Sequence, residues 1–230
     1  MGEDFTTRLR AAQEATEAVL ESLLADQPLA GEIGRPPRLL AAMRHAALGG
    51  GKRIRPFLVI ETARLFAVPM NNALGAAAAL ECVHCYSLVH DDLPAMDDDD
   101  MRRGRPTVHK AFDEATAILA GDALLTLAFA VLADPATDAD PAVRAELTAS
   151  LAAASGLGGM AGGQMLDLAG EGKTWSEADI RLMQAMKTGA LFRQAAEAGA
   201  ILGRAGATER KALADFGAAL GLAFQLADDL

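Results

Sequence analysis

The amino-acid sequence predicts an all-α protein, and three observations support that fold class. Hydrophobic residues make up 51% of the chain but aromatic residues only 4%, and alanine dominates many stretches, which suits close helix packing better than a β sandwich. No segment alternates apolar and polar residues as a half-buried strand does. A chain of 230 residues suits one large domain. We therefore expect a single-domain helical bundle over residues 1–230.

The helices can be placed in order from their apolar periodicity and from the residues that interrupt it. An amphipathic helix is expected over residues 4–25, and a loop follows from Pro28 to Pro37 because prolines and glycines break the pattern. The same reasoning predicts further helices over about 39–48, 55–66, 72–93, 111–133 and 142–168, the last interrupted near Gly156.

The second half of the chain contains a clear helix start. Ser176 and Asp179 have the spacing of a capping box, in which each side chain bonds the backbone of the other residue. This helix is expected to run to about residue 203 and to bend near Gly189, because glycine weakens a helix. A last helix is expected from about residue 208 to the end.

Composition also limits the possible partners. The net charge of −10 argues against nucleic acid, whose binding depends on lysine and arginine. The sequence shows no leader with a charged start and an apolar core, and charges interrupt every apolar run before the length of a membrane span. We expect a cytoplasmic protein without a membrane span, in which Cys82 and Cys85 are structural thiols.

The most informative segment is acidic. Six of the ten residues from 91 to 100 are aspartates, and arginines follow at 102, 103 and 105. Like charges about 4 Å apart repel by about 4 kcal/mol near a protein surface, and Asp91 and Asp92 end an apolar helix, where the helix dipole disfavours anions. A divalent cation would reverse both penalties, so a Mg²⁺-bridged phosphate ligand is one interpretation. A solvated acidic loop is the other.

A glycine-rich basic segment precedes the acidic one. Residues 49–56 read GGGKRIRP, which fails the nucleotide-binding loop pattern because Arg53 follows Lys52 where serine or threonine should hold Mg²⁺. The turn still presents Lys52, Arg53 and Arg55 near a helix start, an arrangement that suits an anion such as diphosphate. The alternative is a basic helix terminus that faces solvent.

Two weaker clusters lie towards the end of the chain. Residues 187–189 read KTG, a cation and a hydroxyl before a glycine inside an apolar helix. Residues 225–229 read QLADD, so Gln225 and Asp228 lie about one helical turn apart and can face the same side. This second pair of aspartates again ends an apolar helix, as Asp91 and Asp92 do.

Taken together, these motifs resemble those of the trans-isoprenyl diphosphate synthases, from about residue 40 to residue 230. The spacing within the first aspartate motif is similar to that of bacterial farnesyl diphosphate synthases and some geranylgeranyl diphosphate synthases. The resemblance implies an all-α bundle around a deep central cavity, of the isoprenoid synthase type, and a homodimer. It rests on residues 51–56 (GKRIRP), His84, residues 91–97 (DDLPAMD) and 102–104 (RRG), Gly163-Gln164, residues 187–189 (KTG) and 225–229 (QLADD).

The resemblance also implies a reaction and a set of site residues. The reaction condenses isopentenyl diphosphate with dimethylallyl or geranyl diphosphate, by Mg²⁺-assisted ionisation and head-to-tail alkylation. About two to three Mg²⁺ ions are implied, held by Asp91, Asp92, Asp97 and Asp228. The allylic diphosphate would be bound by Arg102, Lys187, Thr188 and Gln225, and isopentenyl diphosphate by Lys52, Arg55, His84 and Arg103.

Product length is expected to depend on Tyr86 and Ser87. Tyr86 lies about 7.5 Å along the helix from Asp91 at 1.5 Å per residue, near the same face. The resemblance implies that an aromatic ring there limits the product to farnesyl diphosphate, with geranylgeranyl diphosphate as the alternative. Tyr86 could instead be a core residue whose hydroxyl is hydrogen-bonded.

One feature leaves other functions open. The sequence stops before a third aspartate of the second motif, so we expect a chain truncated at its C-terminal end, which could be inactive as given. A non-catalytic subunit of a prenyl synthase heteromer is one alternative. Two other classes of protein are disfavoured. A terpene cyclase binds one diphosphate and would not need the second anion site formed by the glycine-rich basic segment and His84. A simple acidic metal-binding protein would not need the basic residues.

Overall fold

The computed structural model describes the backbone of residues 4–228 and the side chains of residues 4–227. Helices dominate these residues, in agreement with the predicted all-α fold. They are α1 (Phe5–Leu23), α2 (Pro37–Ala47), α3 (Ile54–Arg64), α4 (Met70–Asp91), α5 (Val108–Ala111), α6 (Glu114–Ala133), α7 (Pro141–Ser155), α8 (Met160–Gly170), α9 (Glu177–Gln184), a π-helical turn (Ala185–Gly189), α10 (Ala190–Leu202) and α11 (Ala207–Asp228).

The predicted helix boundaries are confirmed to within a few residues, and the caps explain several of them. Ser176 accepts a hydrogen bond from the Asp179 backbone at the start of α9, which confirms the capping box. The expected bend near Gly189 is a π-helical turn between α9 and α10. The helix predicted from residue 111 begins later, as α6 at Glu114, because the Asp113 carboxylate accepts a hydrogen bond from the Thr116 backbone at 2.7 Å.

The prediction that the chain contains no strand is wrong at one place. Residues Met101–Arg102 (β1) and Arg105–Pro106 (β2) form a short antiparallel hairpin in which Arg102 pairs with Arg105. Its two-residue turn is Arg103-Gly104, with φ angles of 52° and 75°. Positive φ at both positions is the geometry that fits the twist of a tight hairpin, and glycine adopts it readily.

The chain divides into two compact units, which we describe separately. The first contains the residues up to Ile54 together with Ala78–Val131, and the second contains Arg55–Ala77 together with the residues from Leu132 onward. Fully buried leucines form the core of the first unit, and in the second α10 packs against α7 and α11. The single domain stays a prediction.

Two further sequence predictions concern α4 and α6. Cys82 and Cys85 on α4 are free and buried, and burial raises the pKa of Cys85 to about 12, as expected of structural thiols.

Among the described helices, α6 alone is long and apolar enough to cross a membrane. A core helix of a soluble protein has the same properties, so the absence of a membrane span stays a prediction.

Candidate functional site

The acidic segment folds back onto the end of α4. Pro94 cannot continue the helix, and after a short loop the Asp97 backbone N–H donates to the Asp91 carbonyl oxygen at 2.8 Å. Asp91 is half-buried at this point, whereas Asp97 is exposed. The two outer aspartates of the first motif therefore lie beside each other at the end of one helix.

The aspartate between them has a different environment. Asp92 is only 3% exposed, and its Oδ1 lies 2.8 Å from Arg102 Nε and 2.7 Å from Arg102 Nη2. Burial raises the pKa of Asp92, while the Arg102 guanidinium opposes that rise. The Asp92 carboxylate is thus bound to Arg102, and its role as a metal ligand stays a prediction.

The donor set at this helix end can be compared with what Mg²⁺ requires. Among residues 4–227 no three side chains of His, Cys, Asp or Glu come close enough together to hold an ion. Mg²⁺ usually keeps several waters and is bound by one or two carboxylates together with substrate phosphates. Asp91 and Asp97 fit that arrangement, in which phosphate completes the coordination. Asp228, the ligand predicted on α11, has its side chain outside the described residues, and Asp229 lies outside them entirely.

A basic pocket lies beside this segment in the same unit. It is lined by Arg102, Arg103 and Arg105 of the hairpin, by His45 of α2 and by Gly49 of the glycine-rich loop. Arg103 donates to the Gly50 carbonyl oxygen, and a Cβ atom on Gly51 would overlap the Arg103 guanidinium. The structure therefore brings together two predicted basic segments, about fifty residues apart in sequence.

The lysine and arginines of the glycine-rich segment differ in environment. Lys52 is exposed, but Arg53 is 3% exposed and lies 2.7 Å from Glu17 and 2.5 Å from Glu81. The expectation that Arg53 serves an anion is wrong, because two carboxylates and the Ala47 carbonyl oxygen already bind its guanidinium.

The remaining predicted residues of the first unit lie along α4. His84 is half-buried, and its carbonyl oxygen accepts a hydrogen bond from Ser87 Oγ at 2.9 Å. The half-buried Tyr86 ring meets the His90 ring edge-on at 5.8 Å. Burial, and secondarily the Asp91 charge, raise the pKa of Tyr86.

In the second unit the π-helical turn carries two of the predicted residues. Thr188 Oγ1 donates to Gln225 Oε1 at 3.1 Å, and Lys187 Nζ lies 2.6 Å from Asp167 Oδ2. Sequence reasoning missed Asp167. It could have been found from Gln164, because residues three apart share a helix face.

Two other features of this unit concern the predicted motifs. Gly163 packs against the Lys187 backbone so closely that a Cβ atom would overlap it. The Arg55 guanidinium lies over the Phe192 ring, 4.6 Å from its centroid, in a cation–π arrangement.

Comparison with known proteins gives consistent results. A family model described as polyprenyl synthetase matches residues 36–230. The chain is 45% identical to the farnesyl diphosphate synthase of Escherichia coli, over 99% of this chain and 75% of that protein. It is 46% identical to the farnesyl diphosphate synthase of Geobacillus stearothermophilus, over 85% of this chain and 66% of that protein. This chain thus spans two thirds to three quarters of the length of these relatives.

A solved structure agrees at the level of the fold. The apo crystal structure of an FPP/GFPP synthase from Zymomonas mobilis superposes with a TM-score of 0.91 at 47% sequence identity. The match covers 97% of this chain and 80% of that one.

Proposed function

Because the chain belongs to the polyprenyl synthetase family, we propose that it is a prenyltransferase that condenses isopentenyl diphosphate with dimethylallyl or geranyl diphosphate to give farnesyl diphosphate. One observation carries the proposal. At the end of α4, the paired carboxylates Asp91 and Asp97 lie in the same unit as a pocket lined by three arginines. A site for a metal-bridged diphosphate needs both kinds of group.

The reaction begins with ionisation of the allylic substrate. Its carbon–oxygen bond breaks and the diphosphate leaves with the electron pair. The double bond of isopentenyl diphosphate then attacks the allylic cation, and a carbon–carbon bond forms. The tertiary cation that results loses a proton to the released diphosphate, which leaves a new double bond. Bound Mg²⁺ would supply Lewis-acid stabilisation of the departing diphosphate. In this proposal Asp91, Asp92, Asp97 and Asp228 hold about two to three ions.

The protein's own cations stabilise the same leaving group. Arg102 and Lys187, with Thr188 and Gln225, bind the allylic diphosphate and meet the negative charge that develops on it. Arg102 is held in place by Asp92. Positioning donors before the reaction removes the cost of reorganising them in the transition state.

Isopentenyl diphosphate needs a second anion site that leaves its double bond free to react. We assign Lys52, Arg55, His84 and Arg103 to it. The contact of Arg103 with the glycine-rich loop supports this assignment. In this scheme the site binds isopentenyl diphosphate without breaking its carbon–oxygen bond. Its residues therefore orient the double bond towards the allylic cation.

Tyr86 and Ser87 are the positions proposed to set product length. A half-buried ring five residues before Asp91 would form a floor for the growing chain. If the Tyr86 ring does not limit the length of the product, geranylgeranyl diphosphate synthesis is the alternative. If the protein does not condense the two substrates, the alternative is a non-catalytic subunit of a prenyl synthase heteromer. We also propose a cytoplasmic homodimer with no nucleic-acid partner.

The test is a product assay with radiolabelled isopentenyl diphosphate, each allylic primer and Mg²⁺, in which chain lengths are resolved. Wild type is expected to give farnesyl diphosphate, Tyr86→Ala longer products, and the control Tyr86→Phe the wild-type product. Geranylgeranyl diphosphate as the main wild-type product would move the assignment to that synthase. No Mg²⁺-dependent product at all would favour the non-catalytic subunit.

A further inference from the structure

The hairpin that carries Arg103 has little stability of its own. Each strand has two residues, and isolated two-stranded hairpins are at best marginally stable in water. Arg103 has a φ of 52°, a conformation that is unfavourable for a residue with a Cβ atom. Contacts with the rest of the unit must therefore hold the hairpin in place.

His45 on α2 supplies two of these contacts. Its Nε2 lies 2.7 Å from the Pro106 carbonyl oxygen, and its Nδ1 lies 3.1 Å from Arg105 Nη2. A carbonyl oxygen only accepts hydrogen bonds and a guanidinium only donates them. A neutral imidazole with its proton on Nε2 satisfies both partners at once.

The His45 ring is itself fixed. It meets the Phe112 ring edge-on at 5.9 Å, and it is half-buried in the last turn of α2, just before the glycine-rich loop. A Cβ atom on Gly49 of that loop would fit tightly, because Arg105 Nη1 and the His45 carbonyl oxygen would lie 3.1 and 3.2 Å from it. The His45 side chain thus contacts β2, and the Arg105 side chain of β2 lies close to the glycine-rich loop.

We propose that His45 is a positioning residue for the isopentenyl diphosphate site. It holds β2 against the glycine-rich loop, and this keeps Arg103 at the Gly50 carbonyl, beside the pocket that receives the diphosphate. Arg102 has its own anchor, the buried Asp92 carboxylate. Loss of His45 should therefore disturb the Arg103 side of the hairpin more than the Arg102 side. The inference rests on the proposed function for the identity of the ligand.

Three variants separate the two bonds of His45. His45→Phe keeps an aromatic ring against Phe112 and removes both bonds. His45→Gln keeps a donor at the level of Nε2, and His45→Asn keeps an acceptor at the level of Nδ1. Ala41→Ser is the matched control, because Ala41 is exposed on the same helix.

The first readout is calorimetric binding of isopentenyl diphosphate, which needs no turnover. His45→Phe is expected to weaken binding about tenfold, because both hydrogen bonds that hold β2 are lost. The Gln and Asn variants should each recover part of that loss, and Ala41→Ser should bind as wild type. Arg105→Met combined with His45→Phe should lose less than the sum of the two single losses, since they share one bond.

The second readout is the KM for each substrate. His45→Phe should raise the KM for isopentenyl diphosphate about tenfold and that for geranyl diphosphate by less than about twofold. A general loss of folded protein would lower the maximal rate and leave both KM values unchanged. Wild-type binding by His45→Phe, or equal loss for both substrates, would overturn the positioning role. If wild type binds isopentenyl diphosphate but forms no product, the prenyltransferase assignment fails while the binding series still decides the role of His45.

Discussion

The buried Asp92 carboxylate contacts the Arg102 guanidinium twice, at 2.8 Å from Nε and 2.7 Å from Nη2. Arg102 is the first arginine after the acidic segment, so this pair fixes the hairpin that follows to the end of α4. Asp97, by contrast, is exposed, and Asp91 is half-buried. One motif therefore combines carboxylates of two kinds, one that anchors an arginine and two that lie at the helix end.

Asparagine substitutions should separate these kinds of carboxylate. Asp92→Asn should lower the free energy of unfolding by about 1–3 kcal/mol, because it weakens a buried hydrogen bond to a charged group. Asp97→Asn should change it by less than about 0.5 kcal/mol, because Asp97 is exposed. Urea unfolding measures both. Activity should fall in both, but the Mg²⁺ concentration for half-maximal activity should rise more in Asp97→Asn, because Arg102 already binds one oxygen of the Asp92 carboxylate. Equal stability losses would contradict this division.

The Asp167–Lys187 pair predicts a positioning effect in the second unit. Asp167→Asn removes the carboxylate that holds Lys187 Nζ at 2.6 Å, so kcat/KM for the allylic substrate should fall about tenfold. Lys187→Met should lower it further, and the double variant should match Lys187→Met, because Asp167 acts through Lys187. Steady-state kinetics of the four proteins test this. Additive losses would show that Asp167 has a separate role.

Gly121 on α6 should influence product length through two rings. A Cβ atom at this position would overlap the His90 imidazole, whose Nε2 lies 3.1 Å from the Ile118 carbonyl oxygen and whose edge meets Tyr86. Gly121→Ala should displace both rings at a stability cost of about 1–3 kcal/mol and should raise the share of geranylgeranyl product. Thr126→Ser, a change of one methyl at an exposed position of the same helix, is the control. An unchanged product distribution in Gly121→Ala would exclude this route.

Local sequence patterns predicted the helices, because caps, proline breaks and apolar periodicity act over a few residues. The roles of most candidate residues followed from the family resemblance and stay predictions. Local patterns did not predict the environment of Arg53. Its partners Glu17 and Glu81 lie 36 and 28 positions away, and no local pattern links such distant positions. The hairpin was missed for a related reason, because strands of two residues are too short for alternation to appear.

The buried position of Arg53 predicts a large stability effect. Arg53→Met leaves Glu81, which is 2% exposed, as a buried charge without its partner, and such losses cost about 3–5 kcal/mol. Removing that charge as well, in Arg53→Met with Glu81→Leu, should recover part of the loss. Lys52→Met, at the adjacent exposed position, should cost less than about 0.5 kcal/mol. Urea unfolding of the four proteins decides this, and a double variant less stable than Arg53→Met would contradict the prediction.

The last prediction concerns acid stability at the start of α6. The Thr116 backbone N–H and the Arg38 guanidinium hold the pKa of Asp113 at about 2, below its ordinary value of 3.8. A carboxyl group with a lower pKa in the folded state stabilises the fold above its unfolded pKa, and this contribution is lost as the pH falls from about 4 to about 2. Asp113→Asn keeps an oxygen that can accept from Thr116 but cannot titrate. Its free energy of unfolding should therefore vary less with pH across that window than that of wild type. Unfolding measured from pH 2 to pH 6 tests the slope, and an NMR titration of the Asp113 carboxyl tests the pKa directly. Parallel pH profiles for the two proteins, or an Asp113 pKa near 3.8, would show that the cap and the Arg38 pair do not favour the charged form.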